Sequence, residues 1–328
     1  MASTHAILVV GEAAQAGLFP STLEAIAAAR TLGGGGGVGL LLFGPGVEAA
    51  ASVAIRHGAD AVHTVDAVVT VEETVDLVVE AVRRFEPGIV LGAKEFAGGA
   101  MPRVGFRLGT ALVQDCTKVV LDADGRLVGT RPVYGGSAVA TVRCGSAPAV
   151  ASLRGRAYEA LPADAGRTGE VTPFEAEHAA DPRVRVVERT ERQAEGVRLE
   201  DARIIVGGGR GLGGPEPFAQ LGALASLLHG TVGASRAACD AGWVPSSYQI
   251  GLTGKSVAPD LYIAIGISGA SQHLAGLSGA RDIVAINKDA SANIFKEARF
   301  GVAGDWQQVL PAFIDQLHEL IDERPEGG

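Results

Sequence analysis

The segment Val206 to Gly214 reads Val-Gly-Gly-Gly-Arg-Gly-Leu-Gly-Gly, between an apolar run and an amphipathic one. Gly209, Gly211 and Gly214 fit the pattern G-x-G-x-x-G. Glycine lets the backbone approach a phosphate, and a helix N-terminus offers free N–H groups and partial positive charge. Arg210 adds a planar fork that can hold two phosphate oxygens. The same residues would also make a plain glycine turn with a solvated arginine. A nicotinamide-binding fold would place an acid about 20 residues further on, at the end of the next strand. That place carries Gly233-Ala234-Ser235-Arg236, a hydroxyl and a cation. This counts against an ordinary NAD dehydrogenase. Arg236 also stands four residues before Asp240, a spacing that makes a surface ion pair on a helix.

Further polar groups fall where strands hand over to the next segment. Ile265 to His273 (IGISGASQH) is one such junction; Ser268 is a natural N-cap, with His273 on the first helical turn. Asn287 closes another strand, and Asp305 precedes the last helix, where it serves as a cap. Ligands of open α/β sheets bind outside the carboxyl ends of the strands. Four such ends carry Arg210, Ser235 with Arg236, Ser268 to His273, and Asn287. Gly254-Lys255-Ser256 has the ending of a P-loop, but Gln249 stands where its first glycine belongs. Asn287-Lys288-Asp289 is one residue short of a guanine-reading motif. These failures reject a nucleoside triphosphatase. No Ser–His–Asp set, carboxylate pair or metal-ligand spacing is present in the sequence.

The elements that must position these groups alternate. Ala6–Val10, Val38–Phe43, Ala61–Val65 and Gly88–Leu91 read as buried strands. Between them lie helices opened by Pro20-Ser21-Thr22, spanning Val47–His57, and striped by Val75, Val78, Val79, Val82 and Phe85. From Lys118 to Leu153 several short strands follow. Val184–Val187 reads as a strand, and the charged stretch Glu188–Glu200 as part of a linker. The alternation then restarts: strands at Arg203–Val206, Gly230–Ala234, Leu261–Ile267 and Ile283–Ile286, with a helix at Phe218–Leu228 and a last one faced by Val309 to Ile321. The expected fold is α/β, with two Rossmann-like domains, each a mostly parallel sheet with helices on both faces. The expected division is residues 1–190, a linker at 191–202, and 203–328.

Composition narrows the partners. The 328 residues carry 28 Lys plus Arg against 37 Asp plus Glu, a net charge of −9. A nucleic-acid binder needs a basic face and an anionic membrane attracts one, so neither is an expected partner. No uncharged apolar run reaches the ~18 residues of a membrane span. Met1 to Gly11 lacks a basic leader pattern, and Cys116, Cys144 and Cys239 are scattered. The expectation is a cytoplasmic protein without disulfide or zinc.

Beyond residue 203 the blocks follow one family. Val232-Gly233-Ala234-Ser235-Arg236-Ala237-Ala238 is followed by Asp240-Ala241-Gly242-Trp243-Val244-Pro245, then Tyr248-Gln249-Ile250-Gly251 and Thr253-Gly254-Lys255. Leu261-Tyr262-Ile263-Ala264, Ile267-Ser268-Gly269-Ala270, Gln272 to Gly276 and Ala285 to Asp289 complete the series. This half resembles the flavin domain of the electron transfer flavoprotein α subunits. Ala100–Asp115 and Arg131–Gly136 extend the resemblance, more loosely, into the first half. It implies an FAD held mainly by the second domain. Arg210 would meet the pyrophosphate; Ser235 and Arg236 would sit by the flavin. Ile250, Gly251, Leu252 and Thr253 would approach the isoalloxazine, with Thr253 near N5. Ser268, Gly269, Ala270, Ser271, Gln272 and His273 would run along the flavin and diphosphate, with His273 near the C2 carbonyl. Asn287, Asp305 and Trp306 would hold the adenosine end. Arg236, Thr253 and His273 would tune the redox potential, and no residue would be catalytic in its own right.

The resemblance also implies a β subunit seated on the first domain, giving a heterodimer. Flavin dehydrogenases, typically the acyl-CoA dehydrogenases of fatty acid β-oxidation, and a quinone oxidoreductase would be transient partners. The family usually has Gln where this chain has Leu252, and a polar Gly-Arg-Asp run where it has Lys94 to Gly99. Two alternatives stand beside this reading. One is a bifurcating flavoprotein in which NADH reduces a second FAD in the β subunit. The other is an NAD-dependent transferase or deacylase of Rossmann-like fold, which would need an acid at Ser235.

Overall fold

The structure is a computed structural model that describes residues 6–14, 17–33, 37–67, 70–136, 138–175, 187 and 198–322. The chain divides into two units: Met1–Val133 with Ala138–Arg192, and Tyr134–Ser137 with Gln193–Gly328. The strand expected at Val184–Val187 lies, but for Val187, outside the described residues, as does the linker up to residue 197.

The strands of the first unit are β1 (Ile7–Ala14), β2 (Gly17–Leu18), β3 (Val38–Phe43), β4 (Ala61–Val65), β5 (Ile89–Ala93) and β6 (Leu112–Cys116). They continue as β7 (Lys118–Leu121), β8 (Leu127–Val133), β9 (Ala138–Arg143), β10 (Ala149–Leu153) and β11 (Glu170–Pro173). The main sheet runs β11-β4-β3-β1-β5-β10-β6 with every neighbouring pair parallel; β2 folds back antiparallel on β1. Strands buried on both faces must be apolar at every position, and Val38–Phe43 is buried throughout. Ile7, Val9, Leu40 and Leu42 face α1 (Pro20–Thr31) and α2 (Val47–Arg56). Leu8, Val10, Leu41 and Phe43 face α3 (Val71–Phe85) and α4 (Met101–Leu108). Thr70 and Glu73 start α3 with a reciprocal capping box. β7, β8 and β9 form a separate antiparallel sheet.

The second unit is built from β12 (Ile204–Gly208), α5 (Phe218–Leu227), β13 (Thr231–Ala234), α6 (Arg236–Asp240), β14 (Leu261–Ile265), α7 (Ser271–Ala275), β15 (Asp282–Asn287), α8 (Ile294–Glu297), β16 (Phe300–Ala303) and α9 (Trp306–Asp322). Its sheet is all parallel, in the order β13-β12-β14-β15-β16. One face packs against α5, α6 and α9 through Phe218, Leu221, Leu224, Ala238 and Leu310. The other is covered by Ile250, Val257, Leu277 and Ile294. Leu199 and Ala202, which fall inside the expected linker, are buried in this second core. β14 ends two residues before the expected Ile267, because Gly266 turns the chain with φ of +64°. Both units are therefore Rossmann-like α/β layers. Among the described residues, no helix is long and apolar enough to cross a membrane.

One buried ion pair ties three strand ends of the first sheet together. Asp115, at the end of β6, takes both forks of Arg154 after β10, at 3.0 and 2.6 Å. Lys94, after β5, stands 3.6 Å from the same carboxylate, and Ser152 Oγ accepts from the Asp115 N–H. Burial alone would raise the Asp115 carboxyl; the Arg154 hydrogen bonds and the charges of Arg154 and Lys94 outweigh it and hold it below its ordinary value. The departure at Lys94 thus has a structural role here.

Asp115→Asn leaves two cations facing a neutral amide, and should cost about 3–5 kcal/mol of stability. The depressed carboxyl sets a sign. Its contribution is complete above the ordinary carboxylate pKa and is lost as pH falls through the lowered folded value. Urea midpoints measured from about pH 7 to about pH 2 should show this acid loss in the wild type and a shallower one in Asp115→Asn.

Candidate functional site

The order β13-β12-β14 makes the chain leave β12 in one direction and return past it to β14. Such a reversal opens a crevice at the carboxyl ends of the two central strands. A cleft of about 580 Å3 lies there, within the size range of small-molecule sites. The loop after β12 gives it Arg210, and the end of β13 gives Ser235 and Arg236. Gln249 to Thr253 form one wall, Ser268, Ala270, Gln272 and His273 another, and Asn287 closes β15. A smaller cleft of about 170 Å3 shares Gly211, Gly266 and Asn287 with it, and adds Asp305 and Trp306. Gly269 and Ser271 line neither cleft.

The glycine run has a different task from the one its pattern suggests. A Cβ on Gly209 would lie 2.2 Å from the Gly266 carbonyl oxygen, and one on Gly211 2.8 Å from it. The Gly209 N–H donates to Ile265 O at 2.9 Å and the Gly211 N–H to Gly266 O at 3.0 Å. These glycines bring two loops into backbone contact, and their N–H groups are spent on that contact. A 3-10 turn at Arg210–Leu212 follows, and α5 begins only at Phe218, so the run does not open the helix directly. Ser268 does not cap α7 either. The cap position is Ala270, and the Ser268 carbonyl accepts from Ile294 N at 3.1 Å.

Ser235 Oγ is buried and, among the described residues, has no hydrogen-bond partner. Buried hydroxyls are almost always bonded, so this one stands out in the cleft wall. Arg236, next along, is about two-thirds exposed and pairs with Asp240 at 3.2 Å. The ion pair and the cleft position thus coexist. Gln249 is buried, and its amide donates to Thr253 Oγ at 3.0 Å. That bond leaves the Thr253 proton free to donate elsewhere. In the sequence Gln249 breaks a P-loop and falls in the family's Tyr248–Gly251 block; its contact with Thr253 is one that no spacing rule reveals. Leu252 is 70% exposed and held by its N–H on Gln272 O at 2.7 Å.

His273 is buried. Its Nδ1 lies 3.0 Å from the Ile250 carbonyl oxygen and its Nε2 3.0 Å from the Tyr262 hydroxyl. Both ring nitrogens are thereby engaged inside the chain. Burial, only partly opposed by the Ile250 bond, pushes its pKa down to about 4. Asn287 donates to Ile267 O at 2.9 Å and accepts from Asp289 N at 3.0 Å, fixing the β15 end. Asp305 accepts from Gln307 N at 3.0 Å, the capping contact expected before the last helix.

Comparison with known proteins gives a consistent picture. Residues 198–278 match the family model of the electron transfer flavoprotein FAD-binding domain, and residues 7–179 that of the electron transfer flavoprotein domain. Electron transfer flavoprotein subunit alpha of Thermoanaerobacterium thermosaccharolyticum is 40% identical over 323 residues, covering 96% of this chain and 98% of the relative. Protein FixB of Clostridium saccharobutylicum is 38% identical, covering 98% of each. Electron transfer flavoprotein subunit alpha of Bacillus subtilis is 39% identical over 96% of this chain and 98% of its own.

If the loops meet backbone to backbone, Gly209→Ala should destabilise the chain by about 1–3 kcal/mol, the cost of overpacking. Gly222→Ala is the control: nothing lies within 4 Å of its Cβ position in α5, so it should stabilise by up to about 1 kcal/mol. Thermal unfolding of the two variants checks the contrast. His273 sets a second sign. Its folded pKa lies below its unfolded value near 6.5, so the unfolded chain binds the proton first as pH falls. Stability should therefore drop by about 3 kcal/mol between roughly pH 6.5 and pH 4 through this group. His273→Asn, which does not titrate, should lose that part of the drop in denaturant titrations.

Proposed function

The chain belongs to the electron transfer flavoprotein family, as an α subunit, and from that premise we propose that it binds one FAD non-covalently in the cleft of its second unit and carries electrons from flavin dehydrogenases, typically acyl-CoA dehydrogenases, to a quinone oxidoreductase. The observation that carries the proposal is the buried, unpartnered Ser235 Oγ beside Arg236, at the place where a nicotinamide fold keeps an acid. A hydroxyl and a cation suit an electron-rich ring system better than a ribose diol. The residues fit the group in three further ways. The two clefts share a wall, as an elongated two-part ligand requires. Thr253 has a proton to give. Gly251, at φ of +145°, brings its backbone to the cleft where a Cβ would lie 2.9 Å from Gln272 O.

Bound FAD supplies the one- and two-electron chemistry, and the protein supplies binding, orientation and charge. In this reading Arg210 takes the pyrophosphate. Ser268, Ala270 and Gln272 line the path between the two ends of the cofactor. Asn287, Asp305 and Trp306 take the adenosine end through the smaller cleft. Ser235, Arg236 and Thr253 face the isoalloxazine with Ile250, Gly251 and Leu252. Gly269 and Ser271 shape the loop, and His273 acts through Ile250 instead of donating directly.

The first unit is a docking domain for a β subunit. The support is β9, whose only strand partner among the described residues is β8 and which is exposed along nearly its whole length. Val139 and Val142 stand 68% and 39% exposed on it. An apolar edge strand left open pairs with whatever extended chain it meets, so proteins cover it. In this reading the chain is a redox carrier and acts in the cytoplasm.

Flavin absorbance of the full chain, produced with its β subunit, tests the proposal: one FAD per chain is expected. A colourless protein after refolding with FAD and the β subunit overturns it. Arg236→Ala should still bind FAD. A full charge in contact with the ring would lower its first reduction potential by at most roughly 170 mV on removal. Asp240 and solvent screen Arg236, which brings the expected fall to roughly 50 mV. Arg236→Lys should fall between, because the charge remains and the fork is lost.

A further inference from the structure

Tyr262 is the second residue of β14, wholly buried, where an apolar residue would be the ordinary choice. Its neighbour strand makes room for it. A Cβ on Gly207 would stand 2.0 Å from the Tyr262 hydroxyl oxygen. Among the described residues, the hydroxyl has one partner, His273 Nε2 at 3.0 Å. The other ring nitrogen of His273 lies 3.0 Å from Ile250 O. A carbonyl oxygen only accepts, so Nδ1 carries the proton. A neutral imidazole then has its lone pair on Nε2, and the Tyr262 O–H is the donor to it. The three groups form one line, from the sheet through α7 to the Ile250 carbonyl.

Ile250 and Gly251 are the end of that line and part of the cleft wall. Their other bonds run sideways. Ile250 N donates to Ala234 O at 2.9 Å, and Gly251 N to Lys255 O at 3.1 Å. His273 is the brace from behind. The rings of Tyr262 and His273 sit 5.9 Å apart, tilted by 49°, so the pair holds by the hydrogen bond and not by stacking.

Resting on the FAD reading of the cleft, we propose that Tyr262 is a positioning residue for the cofactor: its hydroxyl fixes His273 as the Nδ1–H tautomer, and His273 in turn fixes the Ile250–Gly251 backbone that walls the site. A buried polar pair of this kind contributes geometric definition, since an apolar pair of the same volume would fill the core equally well. Gly207 belongs to the same device, because any larger residue there removes the tyrosine.

The test is a double-mutant cycle on the full chain assembled with its β subunit, using Tyr262→Phe, His273→Asn and the pair. Nitrogen-15 labelled histidine reports the tautomer directly. In the wild type, His273 should show a proton on Nδ1 and a hydrogen-bonded, unprotonated Nε2. In Tyr262→Phe the Nε2 signal should move toward that of a free lone pair. FAD dissociation should quicken about threefold to tenfold, the range of one net hydrogen bond. The double variant should release FAD no faster than His273→Asn alone. Additive effects in the double variant overturn the proposal. So does an unchanged His273 signal in Tyr262→Phe, or a protonated Nε2 in the wild type, which needs no variant to fold. A wild type that bound no FAD would overturn the reading of the cleft, and this role with it, even with the His273 signals as expected. FAD bound with additive effects overturns the role alone.

Discussion

Two loops touch in the second unit with nothing but backbone between them. The chain after β12 and the chain after β14 meet at Gly209, Gly211 and Gly266, bonded through Ile265 O and Gly266 O. A parallel sheet sets its strands side by side, but it does not by itself close the ends of adjacent loops. Removing the side chains at the contact allows the closure. Once the two loops are joined, the loop carrying Ser268 is held against α8 through Ile294, and the β15 end is held through Asn287 and Ile267 O. Every wall of the cleft is then tied, directly or through one intermediate, to that backbone contact.

The polar groups of the site divide into those the chain satisfies and those it leaves open. His273 engages both ring nitrogens inside the chain, and Asn287, Asp305 and Gln249 each give at least one side-chain bond to it. They hold shape. Ser235 Oγ and the Thr253 proton are left unspent, and Arg236 holds its partner loosely at an exposed position. An unpaired buried hydroxyl costs about 1–3 kcal/mol, a destabilisation that a ligand can repay on arrival. The division explains how a rigid scaffold and a receptive site are built from residues of similar type.

Periodicity alone located most of the sheet. Val38–Phe43 begins and ends where its apolar run does, because a strand covered on both faces favours apolar residues, and Ala61–Val65 keeps the same bounds although it buries His63 and Thr64. β6, β11 and β16 were not legible. Leu112–Cys116 mixes Gln and Asp into its run, Glu170–Pro173 lies on an edge with no buried position, and Phe300–Ala303 is exposed along its length. At the site, strand-end logic assembled Arg210, Ser235, Arg236, Ser268 and Asn287, all of which the cleft contains. The logic misjudged the glycines, because a phosphate and a neighbouring loop ask the same thing of them: the absence of a Cβ. Tyr262 was invisible for a related reason. Inside an apolar strand a tyrosine reads as core, and only its contact eleven residues on, with His273, distinguishes it.

The open strand β9 bears on the life of the chain before it has a partner. Among the described residues one edge of β9 is unpaired, so its backbone groups and its two valines are available to an extended segment in solution, including the same strand on another copy. The time such a chain spends alone then decides how much of it is lost to self-association. A cell that makes this subunit in excess of whatever covers β9 should hold the surplus as aggregate or as substrate for its proteases, and not as a reserve. If the β subunit covers β9 as proposed, matched synthesis of the two proteins, in amount and in time, becomes a requirement written into one exposed edge.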